Sequence, residues 1–499
     1  MNIYLRPIKK DVHLEHKNFN NLLMMSKFKY LIINIVLIIF THSVTNGQSI
    51  DLDKKIGKTN FETVVKTYGL YKDSSMNIYI NKVGQRLVSK LDTALFEYKF
   101  YIVKNEVPNA FALPGGYIFI TTSLLPIINT EDELAGIIGH EIIHSNNRHS
   151  VRQIKKRIIP AIITLPIDIV ADIVPIFGTL TSPIKSAESM LFASYSRKFE
   201  TEADEQGVIL AAKAGYDPLA LISALNRLMN TFEYMTGEKE EKSYFADHPY
   251  TPDREANIKA VTKNIVNKKT EKITKDFVKE FDGLMYGTNP DKGIVKNNEL
   301  TQLKKDFFIK FPKFWILQNH DTLVVGYSPN KNAAYVLTFD DNKDTPEELA
   351  KKYIDSISKK HKDNIVSSQK TKVNGVVGYV IHFEQVSYSD TTFANILWLP
   401  IGENMFKIST VSNIKDNKTI QDITKSIRIL TKSEKESVMV KYIKIATAKE
   451  NETIVDLCRR TNNKVQPDMI AVINGININT KLKEGQDIKI VLEKKFLQK

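Results

Sequence analysis

With a single cysteine, Cys458, in 499 residues, the chain cannot form an intramolecular disulfide, and cysteine usage does not mark its redox compartment. Long internal repeats and low-complexity tracts are absent, which excludes a repeat array. There is no G-x-x-x-x-G-K-[ST] loop to cradle phosphates, so ATP is not an expected cofactor. Acidic residues are the scarcer charge, 57 Asp+Glu against 70 Lys+Arg, for a net +13. Such an excess favours anionic partners when it is gathered into a patch. Here the lysines are scattered and no nucleic-acid motif accompanies them, so the excess reads as solvated surface and no nucleic-acid partner is expected. The 42% hydrophobic and 25% charged residues are those of a folded globular chain, and its length suggests about three domains.

Long apolar runs are also few. Lys27 and Lys29 precede one from Tyr30 to Phe40, which small and polar residues follow. That layout predicts a signal peptide over 24–47, cut near Gly47/Gln48, with residues 1–23 an upstream extension and Met24 or Met25 the initiator. The run is shorter than the roughly 20 apolar residues of a membrane span. No cysteine follows it, which excludes a lipoprotein anchor; an uncleaved signal anchor is the alternative. The expected location is periplasmic or secreted, with peripheral membrane association as a variant. A second run, Ile158 to Leu180, is interrupted by Pro160, Pro166 and Pro175 and carries Asp168 and Asp172. Each aspartate costs roughly 2.5–3.5 kcal/mol in a membrane centre, so the segment reads as a lid or flap, or else as two short core helices.

What is present centres on "NTEDELAGIIGHEIIH". Thr130 three residues before Glu133 predicts a capping box, and Leu134, Ile137, Ile138 and Ile142 recur at helical spacing. On that helix His140 and His144 share a face, so both imidazoles reach one ion, and Glu141 is angled toward a water on it. A third ligand is needed. Asn147 and Ser150 stand where a metzincin carries glycine and histidine, which excludes that class; His149 is out of register and reads as a helix-end residue. A later helix, "SYSRKFETEADEQGVILAAKAGYDP", offers Glu200, Glu202 and Asp204. Glu200 and Asp204 share a face, so one carboxylate can bind zinc while the other accepts a hydrogen bond from a ligand histidine.

These stretches resemble the zinc metallopeptidases that include HtpX, BepA and the CAAX prenyl endopeptidases. "HEIIH" followed by "SRKFETEAD" is similar to the family pattern, as are "NAFALPGGYIFITTSLL" before the zinc helix and "DHPYTPDR" after it. "YINKVGQRL" and "GLMYGTNPDKGIV" look like secreted BepA-type members. The resemblance implies one Zn²⁺ held by His140, His144 and Glu200, with Glu141 as general base, and Asp204 and Arg254 supporting the ligands. It places His248 near the metal, either as a donor to the developing oxyanion or as an extra ligand that closes the resting site. The first role makes His248→Ala a slower enzyme, the net expectation, and the second a faster one. A turn histidine starting the next helix is the plain alternative. The family strand maps to Gly115, Gly116, Tyr117, Ile118 and Phe119, read as an exposed edge to which extended substrate adds, or as an interior strand.

The fold class expected is multidomain α+β. A mainly helical gluzincin domain with a small sheet, one strand of it conspicuous, covers 48–265, and a linker segment follows over 266–298. An α/β domain with antiparallel strands occupies 299–432 and serves recruitment or structure. The tail, 440–493, resembles a LysM βααβ module, which implies either peptidoglycan binding or a structural cap, and is expected to be separable from the peptidase. The favoured function is ATP-independent endopeptidase action on unfolded or misassembled envelope proteins. A peptidoglycan-directed metallopeptidase and a non-catalytic binding or chaperone protein are the alternatives.

Overall fold

The computed structural model describes residues 50–153, 195–237, 248–249, 252–263, 265, 272 and 276–496, except 321–322, 331, 341–342, 358–361, 387–390 and 414. The expected extension, signal peptide and flap lie outside the described residues. No described helix is long and apolar enough to cross a membrane.

The first part of the chain contains helices α1 (Ile50–Tyr68), α2 (Ser74–Val88), α3 (Glu131–Asn146), α4 (Arg197–Lys213), α5 (Ala220–Thr236) and α6 (Pro252–Thr262). Between α2 and α3 run strands β1 (Lys99–Val103), β2 (Ala110–Leu113) and β3 (Tyr117–Thr121), which make the small sheet of the helical domain. Their order is β1-β3-β2, with β3 parallel to β1 and antiparallel to β2. Tyr117–Thr121 is therefore the central strand, which corrects the exposed-edge expectation for Gly115 to Phe119. Ile118, Phe119 and Ile120 are fully buried; a strand apolar on both faces belongs inside a sheet. The edge nearest the zinc helix is β2.

Helix α3 is buried on nearly every side, with Glu133, His140, Glu141 and His144 enclosed among Leu134, Ile137, Ile138, Ile142 and Ile143. Thr130 Oγ1 accepts from the Glu133 amide at 3.1 Å, but the capping box is only half formed. The Glu133 carboxylate instead accepts from the Asn129 amide at 2.7 Å and from Arg227 of α5 at 2.6 and 3.0 Å. The guanidinium offers it a stronger, charge-assisted partner than the helix terminus does.

The segment expected as a linker is woven into both later units. Its strand β4 (Met285–Tyr286) pairs with the C-terminal part, and β5 (Ile294–Lys296) starts a small sheet with β6 (Glu299–Gln302) and β7 (Phe307–Lys310). A seven-stranded antiparallel sheet follows. It is built from β8 (Ile316–His320), β9 (Leu323–Tyr327), β10 (Ala333–Asp340), β11 (Ile365–Val373), β12 (Val376–Val386), β13 (Thr391–Ile401) and β14 (Asn404–Asn413), in the order β11-β12-β13-β14-β10-β9-β8. One face packs on α7 (Pro346–Ser356) through Leu349 and Ala350 against Ile381, Ile396 and Trp398. The other packs on α8 (Asn417–Lys425) through Ile420 and Ile423 against Val380, Leu397 and Ile408. β15 (Arg428–Ile429) joins β7.

The C-terminal residues fold as β16 (Met439–Thr447), α9 (Ile454–Arg460), α10 (Pro467–Asn474) and β17 (Asp487–Lys495), the two strands pairing antiparallel. This module is not a hanging tail. Helix α10 packs on α5, and β16 pairs with β4. Lys489 of β17, fully buried, donates to Pro126 O at 2.5 Å, Ile128 O at 2.9 Å and Asn129 Oδ1 at 2.5 Å, in the turn that leads into α3.

Candidate metal centre

Two helices cross to make the site, and glycine permits their approach. A Cβ on Gly139 of α3 would meet Gly207 O at 3.1 Å, and one on Gly207 of α4 would meet the His140 amide nitrogen at 3.0 Å. Such separations tolerate no side chain at the crossing without displacing backbone. At this distance, residues one turn along each helix face one another.

His140 Nε2 and His144 Nε2 lie 2.9 Å apart. Glu200 Oε1 is 3.3 Å from His144 Nε2, and Glu200 Oε2 is 3.6 Å from His140 Nε2. His248 Nδ1 joins them at 3.2 Å from both His140 Nε2 and Glu200 Oε1. One atom from each of the four residues falls within 4.8 Å of the others, and all four residues are buried. His248 Nε2 is 3.5 Å from Glu141 Oε1, so the glutamate after the first histidine borders the cluster as its spacing predicts.

The outer contacts set the protonation and orientation of the cluster. His140 Nδ1 stands 2.9 Å from Asp204 Oδ1, and Arg254 grips the same carboxylate with two donations of 2.7 Å. The carboxylate makes Nδ1 the protonated nitrogen of His140, leaving the Nε2 lone pair facing inward. Arg254 also lies 3.1 Å from Glu200 Oε2 and donates to the His248 carbonyl at 3.2 Å, tying three separated segments together. Burial pushes the His140 and His144 imidazoles down, His144 well down, so both are neutral bases. Burial alone would raise Glu200, but His248 and Arg254 hold its carboxyl well below the ordinary range. Asp204 is likewise low, Arg254 and His140 overcoming its burial. Neutral imidazoles and an ionised carboxylate, all turned inward, fit zinc.

Glu202 takes no part in the cluster. It accepts from Asn147 at 2.7 Å, and lies 3.4 Å from Arg152 and 3.5 Å from His149 Nε2. His149, read from the sequence as a helix-end residue, and Tyr195, which no sequence signal singles out, both border the cluster. His149 Nδ1 is 3.0 Å from His144 Nδ1, and its ring stacks on Phe199 at 4.5 Å. Arg148, with φ of 58°, reverses the chain and returns His149 beneath the zinc helix, which helical register could not indicate. Tyr195 stacks on the His144 ring at 3.9 Å and meets Ser150 Oγ through its hydroxyl at 2.8 Å.

Two inward-facing histidines and a glutamate, beside a second glutamate on a helix packed against a small sheet, define the class as a metallopeptidase domain. Residues 74–262 match Peptidase family M48. Over 214 residues the chain is 28% identical to the mitochondrial metalloendopeptidase OMA1 of Schizosaccharomyces pombe, covering 42% of this chain and 60% of that one. It is 28% identical over 223 residues to a putative beta-barrel assembly-enhancing protease of Vibrio cholerae, covering 42% and 44% respectively. The OMA1 of Saccharomyces cerevisiae is 31% identical over 195 residues, covering 37% and 55%. The chain thus spans about half the length of these relatives, and the shared part is the domain that carries the centre.

Proposed function

We propose that the chain is a zinc-dependent, ATP-independent endopeptidase that degrades unfolded or misassembled proteins of the cell envelope. The observation that carries the reading is the inward convergence of His140, His144, Glu200 and His248, with the His140 tautomer set by Asp204. The relative named for beta-barrel assembly supports the choice of envelope substrates.

His140, His144 and Glu200 would hold the metal. A zinc ion there supplies Lewis acidity, polarising a scissile carbonyl and acidifying water. Glu141 takes the proton from the attacking water and passes it to the departing amine. Asp204 keeps His140 oriented as the neutral tautomer with its Nε2 lone pair inward, and Arg254 keeps Asp204 and Glu200 ionised and in place. His248 Nδ1 stands at ligand distance from the same donors, which supports the closed-site role for His248 over that of oxyanion donor. Substrate binding then requires His248 to withdraw.

The substrate strand shifts from β3 to β2. The Thr121 amide donates to Asn109 O at 2.9 Å, so the ladder bonds alternate through Phe111 and Leu113. The backbone groups of Ala110 and Ala112 therefore point away from β3; both residues are buried, so an extended chain pairs there through main-chain groups, with little sequence preference, once that edge is uncovered.

Purified protein incubated with unfolded casein and, separately, with peptidoglycan, each with and without chelator, tests the proposal. Chelator-sensitive casein cleavage is expected. Cleavage of peptidoglycan alone would replace the substrate class, and cleavage of neither would leave a binding protein.

A further inference from the structure

The seven-stranded sheet and α8 enclose a cleft of about 480 Å³ that the metal centre does not use. Its floor can be read from strand register. Ser367 lies opposite His382, His382 opposite Asn395, and Asn395 opposite Thr410, so four polar side chains form one row across β11, β12, β13 and β14. The row is connected: His382 Nδ1 is 2.5 Å from Asn395 Oδ1, and Asn395 Nδ2 donates to Thr410 Oγ1 at 3.2 Å.

Two residues along the strands on the same face, Val380, Leu397 and Ile408 form core beneath Ile420. In the other direction Phe393, opposite Glu384, carries an aromatic ring on this face. The facing wall is one side of α8, where Asn417, Gln421 and Thr424 recur at intervals of four and three. Both walls thus present amides, hydroxyls and an imidazole next to apolar surface. The charged lining residues, Lys372, Lys425 and Glu384, are of mixed sign and give no single-sign field.

We propose that this cleft binds a neutral, amphipathic saccharide. Sugar hydroxyls and N-acyl groups exchange hydrogen bonds with the His382–Asn395–Thr410 row and the α8 amides, while a ring's C–H face packs on Phe393 and the apolar end. After its two internal bonds, the Asn395 amide keeps donor and acceptor capacity for a ligand. An acyl chain would desolvate the polar row without replacing its hydrogen bonds. An anion would meet Lys372 and Lys425 but also Glu384 in the same lining, and the polar row between them carries no lysine or arginine. An unfolded peptide presenting apolar side chains meets the same objection as the acyl chain. The site is independent of the peptidase reading, since none of its residues belongs to the metal centre.

Ligand-observed NMR and calorimetry on the full, zinc-loaded chain test this with chitobiose, cellobiose and maltose as probes. Decanoate and an unstructured casein peptide represent the competing classes. Binding of at least one disaccharide is expected, weakened at least about tenfold by Asn395→Leu and by Thr410→Val, with casein cleavage unchanged. Circular dichroism and melting establish that each variant folds, and the two variants guard against one failing. The proposal is overturned if no disaccharide binds, if binding survives both variants, or if decanoate or peptide is the class whose binding the variants remove.

Discussion

Replacing Lys489 with methionine would withdraw one ammonium from three oxygens in the turn before the zinc helix: Pro126 O, Ile128 O and Asn129 Oδ1. Each buried acceptor left without its donor costs about 1–3 kcal/mol. Against that loss stands relief of a buried charge: burial and the neighbouring Arg227 push Lys489's ionisation well below its ordinary range, with Glu133 pulling the other way. The net expectation is about 2–4 kcal/mol of local destabilisation. The same turn feeds Asn129, whose amide bonds Glu133, and Thr130, which caps α3. Backbone amides over 127–133 should therefore exchange about 30- to 700-fold faster, at tenfold per 1.4 kcal/mol. Hydrogen exchange followed by mass spectrometry reads this peptide by peptide in the metal-free protein. Unchanged protection over 127–133, with faster exchange confined to 439–495, would show that the module docks without holding the turn. On the same reasoning, truncation before Met439 should impair casein cleavage, because it also strips β16 from β4. A fully active truncated enzyme would restore the separable tail.

Glu141→Gln should retain zinc while lowering casein cleavage by about 10²–10⁴, the usual share of a general base, whereas Glu200→Ala should lower zinc content itself; metal analysis on both samples separates base from ligand. His248→Ala should retain zinc and accelerate cleavage if the histidine closes the site, and slower cleavage at full zinc occupancy would return it to the oxyanion role. Gly207→Ala places a methyl 3.0 Å from the His140 amide nitrogen, so it should weaken zinc affinity by competition titration; an affinity within twofold of wild type would refute the close-crossing argument. Burial pushes His149 down to about 4 against the opposing pull of Glu202, so its contribution to metal-free stability is present above the unfolded value near 6.5 and is lost as pH falls toward 4. Urea unfolding at pH 7, 5.5 and 4.5 should show this decline, about 1.4 kcal/mol per proton and pH unit at its steepest, and His149→Gln should make it shallower by one proton's share, the depressed His140 and His144 supplying the remainder.

The metal-binding helix was legible because its information is local. His140 and His144 share a face through the 3.6-residue repeat, Glu141 follows by adjacency, and Glu200 and Asp204 are one turn apart on their own helix. Strand alternation likewise announced the antiparallel accessory sheet. What tertiary structure decided was which locally equivalent candidates meet. Glu200 and Glu202 differ by two residues, yet the Gly139–Gly207 crossing turns one toward the histidines and the other toward Asn147 and His149. The positive φ of Arg148 brings His149 under His144 against helical register. Tyr117–Thr121 became central because β1 and β2 pair on both its sides, a long-range choice that strand composition alone does not specify. Lys489, on a strand of an apparently independent module, reaches a turn some 360 residues earlier. Periodicity determines which side chains share a face; only burial and long-range pairing determine what that face meets.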